Sequence, residues 1–483
     1  MPALAEILLG VGSLKVLLIG LFVKKNTLRW CYNSAGLVLI AAIISVYSQP
    51  LGLQITFEGL FISDAFSILM RMVILLSGGA VIVLGRLASS QEGLDYFELP
   101  VLLLLSITGM MVMVSAHDLM SLFVGIELNS LSIYILTAMR SKNPESSKAA
   151  LKYFVLGSLS TGIFLYGCSL VYGFTGLTNF EMIERFFKTS DTLAQGLTLG
   201  LTVGIVFIII GLSFKLALAP FHLWLPDIYQ GTPTSITTFL ATAPKISGIA
   251  VLIRILLGPF IGTINTWQPL IIGMAVLSMF IGSIAALTQP YLKKVIAYSS
   301  IGHMGFMIIG VATSTELGLE ASITYSIFYL LMVLLFFSSL LYLFRQGIVI
   351  DKTVDLRGIR RSYPGIAFLL GFTLFSMAGI PPLPGFVPKF FILRAAVAQG
   401  NYVIAILLAI YSVIAAAYYL VILKTIFLDD NIEASNQGSS FCNKPNLGLI
   451  LILFILIVGL IFLMVCPNSF LGFVHQAAMA VMY

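Results

Sequence analysis

Charge is what this sequence has least of. Only 10% of its 483 residues are Asp, Glu, Lys or Arg, whereas a soluble domain carries about 25% to cover its surface. With 59% hydrophobic residues and a mean hydropathy of +1.05, folding in water would leave most apolar surface wet. Lipid is the solvent this chain requires. Cysteine is scarce too. Cys31, Cys168, Cys442 and Cys466 show no CxxC spacing and no neighbouring histidine, which argues against a metal or disulfide framework and leaves them as packing residues. A GxGxxG opening a helix, a phosphate loop and HExxH are all missing, and no nucleophile–base set is visible. No bound cofactor and no metal are expected. The net charge of +6 is not a nucleic-acid signature either, because no basic stripe interleaved with aromatics appears.

What is present is a succession of apolar runs. A membrane helix needs about 20 largely apolar residues, and that window predicts about fourteen spans. Among them are residues 97–115, 194–219, 231–257, 364–398 and 446–466. The first, residues 3–23, holds Glu6 and Lys15 and lacks a small-residue cleavage site, so it reads as a retained helix. The expected fold is an all-α integral membrane bundle with no soluble domain. Lys and Arg collect in connections after odd-numbered spans (Lys24, Arg86, Arg140, Lys293, Lys294, Arg345, Arg360 and Lys444 among them). Only Arg185 and Lys188 follow even-numbered ones. The positive-inside rule then puts both termini on the outer side.

Prolines mark interruptions. Pro220, Pro226 and Pro233 bracket the seventh-to-eighth connection, Pro244 breaks the eighth span beside Lys245, and GIPPLPGFVPKF (379–390) cuts the twelfth in two. Broken helices survive in lipid only where the freed backbone faces protein or a water-filled cavity. Breaks in corresponding places of two halves point to inverted repeats around an ion path. The seventh and twelfth spans each set a lysine near a proline (Lys215 with Pro220, Lys389 with Pro388). That offset of five predicts two inverted five-helix repeats. The implied units are residues 1–96, 97–257, 258–430 and 431–483.

Glu127, Lys152, Lys215, Lys245 and Lys389 fall inside these spans, with His303 as a sixth polar group. Five unpaired central charges would cost on the order of 15 kcal/mol at most, so they must face one another or water. Each also has a plainer reading: Glu127 as an acceptor for a neighbouring helix, Lys215 as a lysine snorkelling from a helix end, Lys152 as interfacial, His222 and His303 as satisfied core histidines. Lys293 and Lys294, at a helix start, read as orientation signals. A buried lysine can shed its proton near neutral pH, so a row of them bridged by histidine and water forms a chain of proton sites.

The stretches GIELNSLSIYIL (125–136), ALKYFVLGSLSTGIFLYG (150–167), FKLALAPFHLWLPDIYQGTP (214–233), ATAPKISG (241–248) and KKVIAYSSIGHMGF (293–306) resemble the antiporter-like membrane subunits of respiratory complex I. The wording is closest to the smallest of the three. The resemblance spans roughly residues 100–430 and implies fourteen helices with two inverted repeats. It implies that Glu127 pairs with Lys215, that Lys245 and Lys389 are the central and distal lysines, and that Lys152, His222 and His303 belong to a hydrophilic axis. It implies proton translocation driven by quinone reduction in other subunits. NAD, FMN, iron–sulfur clusters and quinone would bind elsewhere, and the other membrane-arm subunits and the bilayer would be the partners. The expected location is a bacterial inner membrane, with the mitochondrial inner membrane as the alternative. Three other readings stand beside it: a subunit of a multi-subunit cation/proton antiporter, a hydrogenase- or ferredoxin-linked relative, and a scaffold whose charges only pack helices.

Overall fold

The computed structural model describes residues 1–140, 142–189, 198–429 and 447–482. Cys442 and Lys444 lie outside them. The bundle opens with α1 (Leu4–Phe22), α2 (Thr27–Tyr47) and α3 (Ala65–Glu92), continues through α4 (Glu98–Val114), α5 (Leu119–Ala138), α6 (Pro144–Thr175) and α7 (Phe180–Thr189), and reaches α8 (Leu199–Leu216), α9 (Leu225–Gly231), α10 (Thr234–Ala241) and α11 (Ala243–Leu257). There follow α12 (Ile264–Leu287), α13 (Leu292–Ala312), α14 (Glu316–Arg345), α15 (Pro364–Ala378), α16 (Phe386–Ala398), α17 (Tyr402–Phe427), α18 (Leu447–Val465) and α19 (Pro467–Met482). Among the described residues, 12 helices are long and apolar enough to cross a membrane. The two expected spans outside that set are the shorter α4 and the interrupted α15–α16.

Burial divides the spans. The α10–α11 span is 94% buried and α13 is 89% buried, whereas α17 is 33% and α18 22% buried. The middle of the chain therefore forms the packed centre, and α17 and α18 turn most of their apolar side chains to lipid. Two helix pairs approach unusually closely, α4 with α5 and α12 with α13. A Cβ on Gly109 would lie 2.5 Å from the Asn129 nitrogen, and one on Gly282 would lie 2.6 Å from the Gly302 nitrogen. Only glycine fits at such crossings.

The three breaks have local causes. Helix α8 stops at Leu216, where Ala217 takes a left-handed conformation (φ 57°). Pro244 has no N–H to give, so α10 and α11 part at Thr242, whose hydroxyl donates back to the Thr238 and Phe239 carbonyls at 2.7 and 3.1 Å. Gly379, at φ 81°, ends α15, and prolines 381, 382 and 384 keep the chain open until Phe386.

Three elements depart from the sequence expectation. A β-hairpin, β1 (Gln54–Thr56) against β2 (Phe61–Ser63), interrupts an otherwise helical chain. Helix α7 lies in the connection before the expected 194–219 span, burying Phe180, Ile183 and Phe187 at helical spacing and pairing Arg185 with Glu181. The tail after Val465 folds into α19, packed on α3 and α14. Connections rich in Lys and Arg meet at one end of the bundle, where Arg140, Lys293 and Asp351 line one cavity. The hairpin and the His117 and Asn179 connections meet at the other, joined by Leu60, His117 and Asn179 backbone and side-chain bonds.

Candidate functional site

The breaks set the positions of the buried lysines. Lys245 follows Pro244 in the first turn of α11, is 1% exposed, and donates from Nζ to the Leu216 carbonyl at 2.7 Å. Leu216 is the last residue of α8, so its carbonyl is one of those a helix terminus leaves open. Lys389 repeats the arrangement in the second half. It is 8% exposed and donates to the carbonyl of Ala378, the last residue of α15, at 2.8 Å, and to Ser412 Oγ at 3.2 Å. Each ammonium also lies over an aromatic face, Trp224 for Lys245 (5.6 Å) and Phe306 for Lys389 (5.4 Å). The negative end of a helix dipole and a ring face both favour a cation. Gly379 leaves room for the second lysine, since a Cβ there would meet Lys389 Cδ at 2.6 Å.

Lys215 sits in the last turn of α8 and faces inward. Its Nζ reaches Ser130 Oγ (2.8 Å), Thr161 Oγ1 (3.2 Å) and Tyr134 OH (3.5 Å). The expected direct pair with Glu127 does not form: three hydroxyls take the ammonium's donors, and Glu127 acts on Lys215 only through its field. From there an aromatic wall runs toward Lys245. Phe214 stacks on Trp224, and Trp224 stacks on Tyr153 at 4.6 Å. His222 is buried in the connection between α8 and α9, and its Nδ1 has no partner among the described residues.

His303, in the middle of α13, is held between two phenols, with Nδ1 2.8 Å from Tyr325 OH and Nε2 3.0 Å from Tyr419 OH. Ser299, four residues before His303 on α13, reaches the same Tyr419 hydroxyl, so α17 closes this face of the helix. Tyr325 stacks on Phe306, beneath Lys389. Lys152 stands apart. It is half-exposed at the basic end, paired with Asp227 at 2.5 Å and donating to the Leu223 carbonyl at 3.0 Å. Burial alone would raise the Asp227 carboxyl, but bonds and charge from Lys152 and Lys294 outweigh it and hold it below the usual carboxylate range.

Sequence reasoning passed over two further buried pairs. Arg254 grips Asp64 with two N–H···O bonds of 2.6 and 2.9 Å, and Asp64 also caps α3 through Ser67. Arg71, fully buried, directs bonds to Ser67 O, Pro2 O, Glu6, Gln49 and Ser63. The one cluster of described residues at metal-ligand spacing is Glu316, Glu320 and His475, whose ligand atoms lie within 4.8 Å. It is partly exposed and its members already pair with one another.

Residues 116–415 match the family model described as NADH:quinone oxidoreductase/Mrp antiporter, transmembrane. NADH-quinone oxidoreductase subunit N of Methylobacterium nodulans is 42% identical over 430 residues, covering 89% of this chain and 88% of that one. The subunit N of Pelagibacter ubique is 42% identical over 446 residues, covering 92% and 93%. A chain of respiratory complex I from Thermus thermophilus superposes with a TM-score of 0.80 at 27% identity, covering 97% of this chain and 99% of its own. A chain of the Mrp complex from Dietzia shares the fold alone, with a TM-score of 0.84 at 20% identity, covering 100% and 99%. The chain therefore belongs to the NADH:quinone oxidoreductase/Mrp antiporter transmembrane family, alongside the relatives named NADH-quinone oxidoreductase subunit N.

Proposed function

We propose that the chain is a proton-translocating membrane-arm subunit of an NADH–quinone oxidoreductase. Lys215, Lys245 and Lys389 carry the protons, His303 and His222 relay between them, and Glu127 biases the first lysine. The observation that carries this reading is the pair of lysines, each buried in a broken helix and each seated on the closing carbonyl of another helix segment, with no carboxylate partner among the described residues. A cation held that way can give up its proton; one locked to a carboxylate in a dry interior gives it up far less readily. The matching glycine crossings of α4–α5 and α12–α13 support two inverted repeats, helices four to eight and nine to thirteen. Both termini face outward in a bacterial inner membrane, with the basic connections inside. Lys152, tied to Asp227, serves at the inner edge of the path. NAD, FMN, iron–sulfur clusters and quinone bind in neighbouring subunits.

The test is purification of the tagged chain in mild detergent, with an NADH–quinone assay and an optical and EPR scan of what accompanies it. Flavin, iron–sulfur signals and NADH oxidation are the expected result. Membrane partners with no redox centre would overturn it in favour of a cation/proton antiporter driven by ion gradients.

A further inference from the structure

At the basic face a polar cavity of about 300 Å³ opens where the start of α10 meets α13. Glu92, Arg140, Gln230, Lys293 and Asp351 line it. Glu92 is 3% exposed, and its carboxylate accepts the N–H of Thr234 at 2.6 Å and of Ser235 at 3.3 Å, so it is spent on capping α10. Lys293 stands in the first turn of α13. Its Nζ turns into the bundle and donates to the Thr232 carbonyl at 2.8 Å. An ammonium has three donors, and two remain for the cavity. The buried Gln230 Oε1 has no donor among the described residues. Polar atoms left open in a polar, roomy cavity call for water.

Beyond Lys293 the same face of α13 carries Ser300 and His303, seven and ten residues on, which is two to three helical turns. Ser300 Oγ and Tyr329 OH lie 2.7 Å apart, and the Tyr329 ring is 5.4 Å from that of His303. The fully buried Tyr229 hydroxyl faces Ser300. A polar stripe thus runs from the cavity to the histidine at the centre of the bundle.

We propose that this cavity is the inner mouth of the proton path, with Lys293 as the first group to take each proton and the Ser300 stripe as its route to His303. The inference rests on the proton-translocating reading of the chain. The Lys293 amine takes a proton from water in the cavity and becomes an ammonium. It then loses that proton to water lodged against Tyr229 and Ser300. Each hydroxyl on the way accepts one proton and releases its own, so a single proton leaves the cavity and a single proton arrives on the imidazole. Glu92, Arg140 and Asp351 face Lys293 across the cavity and set its charge balance.

The experiment uses the whole complex in sealed membrane vesicles of both orientations. A Gln230→Cys variant is treated with a membrane-impermeant, cationic thiol reagent, with the parent complex as control for the native cysteines. Modification from the inner face, cutting NADH-driven proton pumping by roughly tenfold or more, is the expected result. Modification from the outer face only, or inner-face modification with pumping intact, overturns the proposal. Lys293→Met should lower the protons moved per NADH, more severely as the inner pH rises, and Lys293→Arg should not restore them because arginine stays protonated. Parental pumping by Lys293→Met at every inner pH also overturns it. If that variant fails to assemble, the Gln230→Cys result decides. Normal pumping by Lys245→Arg would instead sink the underlying reading of the chain, so the two failures are separable.

Discussion

Two regions of this bundle bury positive charge to the same depth and treat it in opposite ways. At the end that holds the hairpin, Arg71 and Arg254 meet Glu6 and Asp64 and spend their donors on carboxylates, carbonyls and amides. Along the centre, Lys245 and Lys389 meet a backbone carbonyl, an aromatic face and, for Lys389, one hydroxyl. Arginine keeps its proton at any physiological pH, so with a counter-charge it is a permanent fixture. Lysine without one is poised to change state. Depth of burial therefore does not separate Lys245 and Lys389 from the arginines; the lack of a carboxylate partner among the described residues does. A packing role suits the arginines, and the lysines are the residues that the proposed function uses.

The contrast can be broken most directly by exchanging the two residue types. Lys245→Arg or Lys389→Arg keeps the charge in place and removes its ability to titrate. Pumping, read by dye quenching in vesicles, should fall by roughly tenfold or more, with the complex still assembled on native gels. An arginine variant that pumps normally would erase the distinction. Glu127→Gln, which removes a field and not a carrier, should lower pumping by less. On the other side of the contrast, Arg254→Met leaves Asp64 buried and unpaired, at a cost of about 3–5 kcal/mol, seen as a lower melting temperature or lost assembly. Adding Asp64→Asn, which keeps the α3 cap, should recover most of it. A double variant less stable than the single would show that the pair does more than balance charge.

The smallest effect expected is at an exposed pair. His475 on α19 is held above its ordinary range, chiefly by its hydrogen bond to Glu320. A raised folded-state value means the contact is fully present below about pH 6.5 and is lost as pH rises through the folded-state value. Hydrogen exchange of α19 should therefore quicken on the alkaline side, and His475→Ala should flatten that dependence. Exchange that is insensitive to pH in the parent would remove this clasp from the account.

Most of the helical frame was legible because lipid leaves a chain few choices. Long apolar runs must be helices, and a proline inside one must break it, as at Pro244 and at prolines 381–384. The lysines beside those breaks could be read for the same reason. What was not legible depended on partners distant in sequence. Asp64 lies 190 residues from Arg254, and nothing local to either announces the other. Helix α7 was hidden by its brevity and its charges, although Phe180, Ile183 and Phe187 carry the helical period. The inward turn of Lys293 was not legible because a lysine at a helix start has two destinations, headgroup or interior, and only the packing of α9 against α13 chooses.

The carbonyls beneath Lys245 and Lys389 belong to the main chain, and that has an evolutionary consequence. No substitution at Leu216 or Ala378 can delete such a carbonyl, and an amide oxygen is too weak a base to compete for the lysine's proton. The seat is therefore inherited with the shape of the break, not with any one side chain. Drift can rewrite the letters around it while the two lysine seats persist, and only a slip in where the helices end would dismantle them.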